Sequence, residues 1–307
     1  MKSAFKYFFI WIIGAVIGAI IFALPAIGVA ALAGNIPSGY EGFASNPWYF
    51  SIVLLGADVV PLFVFWKMKY ANFSFKYGYD FGNGFTTQKL FIWAAVGCIG
   101  CLLWDLVLAN LITFPEWDAD SMEMIGSMAA NPIGLLIICL IGPFLEEVVF
   151  RGAIERRLLE KNWKPWLAIL VSAVFFAVAH GNFTQGLTAI MMGCFLGWVY
   201  YRTRSIWPCV FIHALNNTAA CVISWAISGT TYEDAKGLPV TAIITMTVIG
   251  VAFLFYAIKY IAQLTKDRTP IPTPVVVPTL PPEATFQPTE MAPTPVEYPN
   301  EENYTEE

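Results

Sequence analysis

Seven ionisable side chains stand inside long apolar stretches of this chain: Asp58, Asp105, Glu146, Glu147, Arg151, His180 and His213. Both histidines of the protein are among them. An ionisable group within a membrane span costs about 2.5–3.5 kcal/mol on insertion scales, so each is a candidate for chemistry. Glu147 and Arg151 are four apart, share a helix face and form an ion pair that eases placing Arg151 in the membrane. Glu146 lies about 100° around the same helix and is not neutralised by that arginine, which leaves it free to serve as a general base. His213 and Asn217 are also four apart. Their N–H donors suit a developing oxyanion, and they suit an interhelical polar clamp equally well. Asp58 and Asp105 stand alone in their stretches and read as packing hydrogen bonds or as walls of a water-filled cavity.

The elements that must hold these groups are membrane helices. Of 307 residues, 57% are hydrophobic and only 13% charged, where a soluble domain carries about 25% charged residues. The mean hydropathy is +0.62. Apolar stretches fall at 7–33, 49–66, 90–114, 131–150, 166–180, 186–201, 206–228 and 239–262, the fifth and sixth being short. With a cytoplasmic N-terminus, eight spans place 16 of the 17 basic residues inside and leave only Lys236 outside. Glu41, Glu116, Asp118, Asp120, Glu123, Glu233 and Asp234 fall in the outside connections. The expected architecture is an all-α helical bundle of about eight transmembrane helices with both termini cytoplasmic.

The first span, at about 27 apolar residues, exceeds the ~7–15 of a signal-peptide core and reads as a retained anchor. Residues 1–265 then form the transmembrane domain. Residues 266–307, with ten of the 20 prolines beyond position 268 and an acidic end, read as a disordered cytoplasmic tail. The six cysteines all fall in apolar stretches, and the Cys98–Cys101 CxxC reads as small packing residues. No basic patch points to nucleic acid. Counted at 1.5 Å per residue from flanking interfacial residues, Glu146, His180 and His213 lie about 12–22 Å deep, where one pocket reached from the cytoplasm can hold them.

Three motifs on successive late spans carry a resemblance: EEVVFR at 146–151 (EExxxR), FAVAH at 176–180 (FxxxH) and HALNN at 213–217 (HxxxN). Together they resemble the CAAX-protease and bacteriocin-processing (CPBP, or Abi) family of intramembrane peptidases, which includes the type II CAAX prenyl endopeptidases. The resemblance covers about 130–228, with Gly193, Gly197 and the turn YYRTRS also in keeping. It implies an intramembrane endopeptidase in which Glu146 and His180 polarise a water. His213 and Asn217 then stabilise the oxyanion, and Glu147 and Arg151 support the helix. It resolves the His213–Asn217 ambiguity towards the oxyanion role.

Glu146, His180 and His213 are the set that Zn²⁺ would use if a metal were present. The metal-free reading is preferred, because Asn217 suits an oxyanion better than a metal and no HExxH occurs. The expected partners are the lipid bilayer and a membrane-associated peptide or protein substrate, prenylated or not, in a bacterial plasma membrane. The alternative is a non-enzymatic membrane regulator or bacteriocin-immunity protein of the same fold. A transporter is disfavoured by the lack of inverted repeats or paired broken helices.

Overall fold

A computed structural model describes residues 2–34, 42–43, 45–68, 70, 84–113, 115–226 and 237–267. The chain divides into Met1–Thr273 and Pro274–Glu307. The second unit lies outside the described residues, as do Glu41, Glu233, Asp234, Lys236 and the expected tail from residue 268 onward.

Among the described residues every regular element is a helix. In chain order these are α1 (Lys2–Leu32), α2 (Pro47–Lys67), α3 (Gly84–Leu111), α4 (Ala119–Ala129), α5 (Pro132–Glu160), α6 (Pro165–Ala179), α7 (Phe183–Thr203), α8 (Trp207–Ala226) and α9 (Val240–Leu264). A single 3₁₀ turn, Glu116–Asp118, leads into α4. Each apolar stretch of the sequence falls on one of the longer helices. α1, α2, α3, α5, α7 and α9 are long and apolar enough to cross a membrane, while α6 and α8 are apolar but shorter. The protein is an all-helical integral membrane protein. The sixth stretch, expected to be short, is a full 21-residue helix because Phe183, Thr184 and Gln185 extend it at one end and Arg202 and Thr203 at the other.

Local sequence explains the helix starts. Asn46, Asn131 and Asn182 are N-caps whose side chains accept backbone N–H bonds, and Pro47 and Pro132 follow two of them at the first helical position. Arg204, in the left-handed region at φ 57°, ends α7.

Small residues set the close approaches between helices. A Cβ on Gly18 of α1 would run into the Gly56 carbonyl of α2. On α3, a Cβ at Gly100 would lie 2.8 Å from Leu254 of α9.

α5 is not uniform. Two π-helical turns, Ile137–Ile141 and Phe150–Glu155, bracket the α-helical Gly142–Val149 that carries both glutamates. Such widened turns offer carbonyls to partners outside the helix. The Ser172 hydroxyl of α6 donates to Phe150 O at 2.9 Å, and Asn217 of α8 donates to Ile138 O at 2.9 Å. The largest buried side chain is Arg151, and Phe150, Phe176, Leu196 and Ile212 are buried with it where α5 to α8 meet.

Candidate active site

The site is built outward from the Glu147–Arg151 pair. The helical spacing brings Arg151 Nη1 to 2.8 Å from Glu147 Oε1, with both side chains wholly buried. The guanidinium also donates through Nη2 to the Gly193 carbonyl of α7 at 3.1 Å and stacks 4.6 Å from the Phe176 ring of α6. One arginine therefore ties three helices together. Breaking a buried pair on one side strands the other charge, so the contacts act as a unit.

His213 of α8 is joined to this unit. Its Nδ1 lies 2.9 Å from the same Glu147 oxygen that Arg151 holds. Its Nε2 faces Glu146 Oε2 at 3.8 Å, beyond hydrogen-bond range. An ionised Glu147 can only accept, so Nδ1 carries the hydrogen and donates to it.

His180 stands at the C-terminus of α6. Its Nδ1 is 2.8 Å from Phe176 O. A carbonyl can only accept, so Nδ1–H is the donor, and in the neutral ring Nε2 is an acceptor. The edge-on Phe176 ring contacts both His180 and His213, at 4.8 and 5.4 Å between centroids. Phe176 is thus the common support of the two imidazoles and of Arg151.

His180, His213 and Asn217 wall one cavity of about 370 Å³, together with Asp105 of α3 and the apolar side chains of Leu102 and Met192. Glu146 is placed differently from the sequence expectation of a single shared pocket. It is not among the cavity walls, and its carboxylate lies on the side of Gly142 and Asp58. It reaches the other groups through His213. Glu146 Oε2 and Glu147 Oε2 are both buried atoms without hydrogen-bond partners. Asn217 spends one N–H on Ile138 O, and a carboxamide has a second to offer.

Among the described residues no three His, Cys, Asp or Glu side chains gather as a set able to hold a metal ion. Glu146, His180 and His213 do not converge on one point, so no step below is routed through a metal.

The structure adds three residues that the sequence reading passed over. Glu155, four residues beyond Arg151, is fully buried with both oxygens unpartnered, and a Cβ on Gly197 would lie 2.6 Å from it. Its i+4 spacing from Arg151 was the available signal. Asn216 lines the cavity beside Asn217 with a buried, unpartnered Oδ1.

Asp118 is the third. It accepts from Thr184 N at 2.7 Å, the Thr184 hydroxyl at 2.8 Å and Phe183 N at 3.3 Å, so it caps α7 from another element. Burial pushes this carboxyl upward, but the three donated hydrogen bonds outweigh it and hold the group below the ordinary carboxylate range. The cap anchors α4, whose Met122, Ile125 and Ala129 form a further wall of the cavity.

Residues 129–219 match the Rce1-like family of type II CAAX prenyl endopeptidases. The chain is 30% identical over 104 residues, 34% of its length, to a Bacillus subtilis (strain 168) protein named as a membrane peptidase, YdiL. It is 26% identical over 134 residues, 41% of its length, to the membrane-embedded CAAX protease MroQ of Staphylococcus aureus (strain USA300). These matches span 42% and 54% of the two relatives, about half their length. No solved structure matches the chain. The matched segment contains EExxxR, FxxxH and HxxxN whole, and over that segment the chain is similar to the Rce1-like CAAX protease family.

Proposed function

We propose that this protein is an intramembrane endopeptidase that hydrolyses a peptide bond in a membrane-associated peptide or protein. The observation that carries the reading is the double engagement of His213. The ring is fixed through Nδ1 on the buried Glu147–Arg151 pair, and it faces Glu146 at the wall of a cavity shared with His180 and Asn217. A fixed imidazole between two carboxylates is an arrangement that packing alone does not need.

In this mechanism Glu146 takes a proton from a water that attacks the scissile carbonyl carbon. His180 Nε2, free because Nδ1 is committed to Phe176 O, accepts the other hydrogen of that water and orients it. The carbonyl π pair moves onto oxygen, and the resulting oxyanion is held by the second N–H of Asn217 and by His213 Nε2–H. With Nδ1–H already given to Glu147, His213 can donate from Nε2 only as an imidazolium. Glu146 then returns its proton to the departing amine nitrogen as the C–N bond breaks, which leaves a carboxylic acid and an amine, and the acid's proton then passes to the amine to give a carboxylate and an ammonium. Glu147 and Arg151 do not touch substrate and act as positioning residues. The chemistry proposed needs no metal, and both chain termini are taken to lie on the cytoplasmic side.

The test is cleavage of membrane peptides by protein reconstituted in liposomes. Glu146→Ala and His180→Ala are expected to abolish cleavage while the protein stays folded. Full cleavage by both variants would sink the assignment. Partner binding without cleavage by any form of the protein would favour a regulatory role instead.

A further inference from the structure

Glu147 enters the membrane with its arginine, whereas Asp105 has no hydrogen-bond or ion-pair partner among the described residues. It sits on α3 three residues after Leu102 and next to Leu106, which is itself four from Leu102, and all three line the cavity that His180, His213 and Asn217 also line. Asp105 is the one acidic side chain in that wall. From α8, Asn216 adds a buried Oδ1 that no donor meets. The cavity wall therefore includes a carboxyl from α3 and a carboxamide from α8, within surroundings that include Leu102, Leu106 and Ile125.

An ionised carboxylate at membrane depth without a cation is costly, and a lone carboxamide oxygen adds to that cost. The missing counterpart has a defined chemistry. It must be a donor that carries positive charge, on a stem apolar enough to lie along leucine and isoleucine. A lysine side chain has both properties, with four methylenes and a terminal ammonium that donates three hydrogen bonds. Asn216 and Asn217 line the same cavity, so an ammonium bound there shares it with the bond being cleaved.

We infer that Asp105 and Asn216 form a specificity subsite of the cavity that takes a lysine side chain of the substrate near its scissile bond. This rests on the proposed peptidase reading for the word substrate, but binding can be measured without turnover. In free protein Asp105 is the unmet half of an ion pair that the peptide completes.

The experiment uses full-length Glu146→Gln protein in lipid nanodiscs and two dye-labelled apolar decapeptides that differ at one central position, lysine or norleucine. Norleucine keeps the methylenes and lacks the amine. Anisotropy titration is expected to show the lysine peptide binding about 10- to 100-fold more tightly, the range for a hydrogen bond to a charged group. Asp105→Asn in the same background is expected to close most of that gap while leaving the norleucine affinity in place. Equal affinity for the two peptides, no binding of either, or a lysine preference that survives Asp105→Asn overturns the subsite. The lysine–norleucine comparison needs no change at Asp105 and stands even if that variant does not fold. Incubating the wild-type protein with the lysine peptide separates the two readings. Selective binding without cleavage leaves the subsite and removes the peptidase.

Discussion

The α1–α2 hairpin and the α5–α8 core are held in lipid by opposite means. The hairpin closes through absence of side chains, with Gly18 against Gly56 so that backbone meets backbone. The core closes around charge: Arg151 binds Glu147, the Gly193 carbonyl and the Phe176 ring at once. In a solvent as apolar as leucine, neither region gains from hydrophobic burial as a soluble core does. The hairpin draws on dispersion between close backbones, and its changes should be felt in packing. The core draws on a few strong polar contacts, and its changes should be felt in chemistry as well as stability. The difference fits the placement of the three motifs, which all lie on α5, α6 and α8 while the first two helices carry none.

The largest effect is expected where a charge is stranded. Arg151→Met strips the buried Glu147 of its cation and leaves it only the His213 hydrogen bond, and should cost about 3–5 kcal/mol. Thermal unfolding in detergent measures it, and Arg151→Met combined with Glu147→Gln should recover part of the loss. If the single and double variants melt alike, the pair is not the organising contact of the core.

Asn217→Ala should lower turnover by about 10²–10³-fold through loss of one oxyanion donor. Its stability should fall by only about 1 kcal/mol, for the bond to Ile138 O. A fall in stability matched by no change in turnover would return Asn217 to the status of a packing clamp.

On the hairpin, Gly18→Leu forces α1 and α2 apart and is expected to cost about 1–3 kcal/mol as overpacking. Cleavage per folded molecule should stay near that of the wild type. A loss of turnover as large as that of Asn217→Ala would mean that the two regions are not separable.

The smallest effect concerns Asp118. Its folded pKa lies below the ordinary ~3.9, so its ionised form is the one the fold binds. The stabilisation is fully present above pH 4 and is lost as pH falls through the lowered folded value. Asp118→Asn should therefore flatten the acid limb of stability below pH 4 and leave the neutral range with a modest uniform loss. An unchanged acid limb in that variant would show that the carboxylate contributes nothing there.

Much of this was readable in the chain before any coordinates. Spans follow from hydropathy, and the Glu147–Arg151 pair from helical spacing of four, because both signals are local. His213 binding to Glu147 is a contact between residues 66 apart, and no periodicity reports it. Helix α4 falls within an outside connection in the sequence because Asp120 and Glu123 dilute its apolar residues. Only its packing reveals that Met122, Ile125 and Ala129 share a face. Glu155 escapes notice because it lies beyond the apolar stretch at 131–150, whereas helix packing buries one more turn. The displacement of Glu146 from the cavity wall is likewise a matter of side-chain direction, which spacing fixes only to within a face.

In the proposed mechanism Glu146 activates the water that cleaves the peptide. That step is tested most directly by digesting membrane peptides in ¹⁸O-labelled water with reconstituted wild-type and Glu146→Gln protein, and counting labelled carboxyl termini by mass spectrometry. Labelled termini are expected with the wild type and their near-absence with Glu146→Gln, both proteins melting at similar temperatures. Labelled termini in equal number from the two proteins would contradict it.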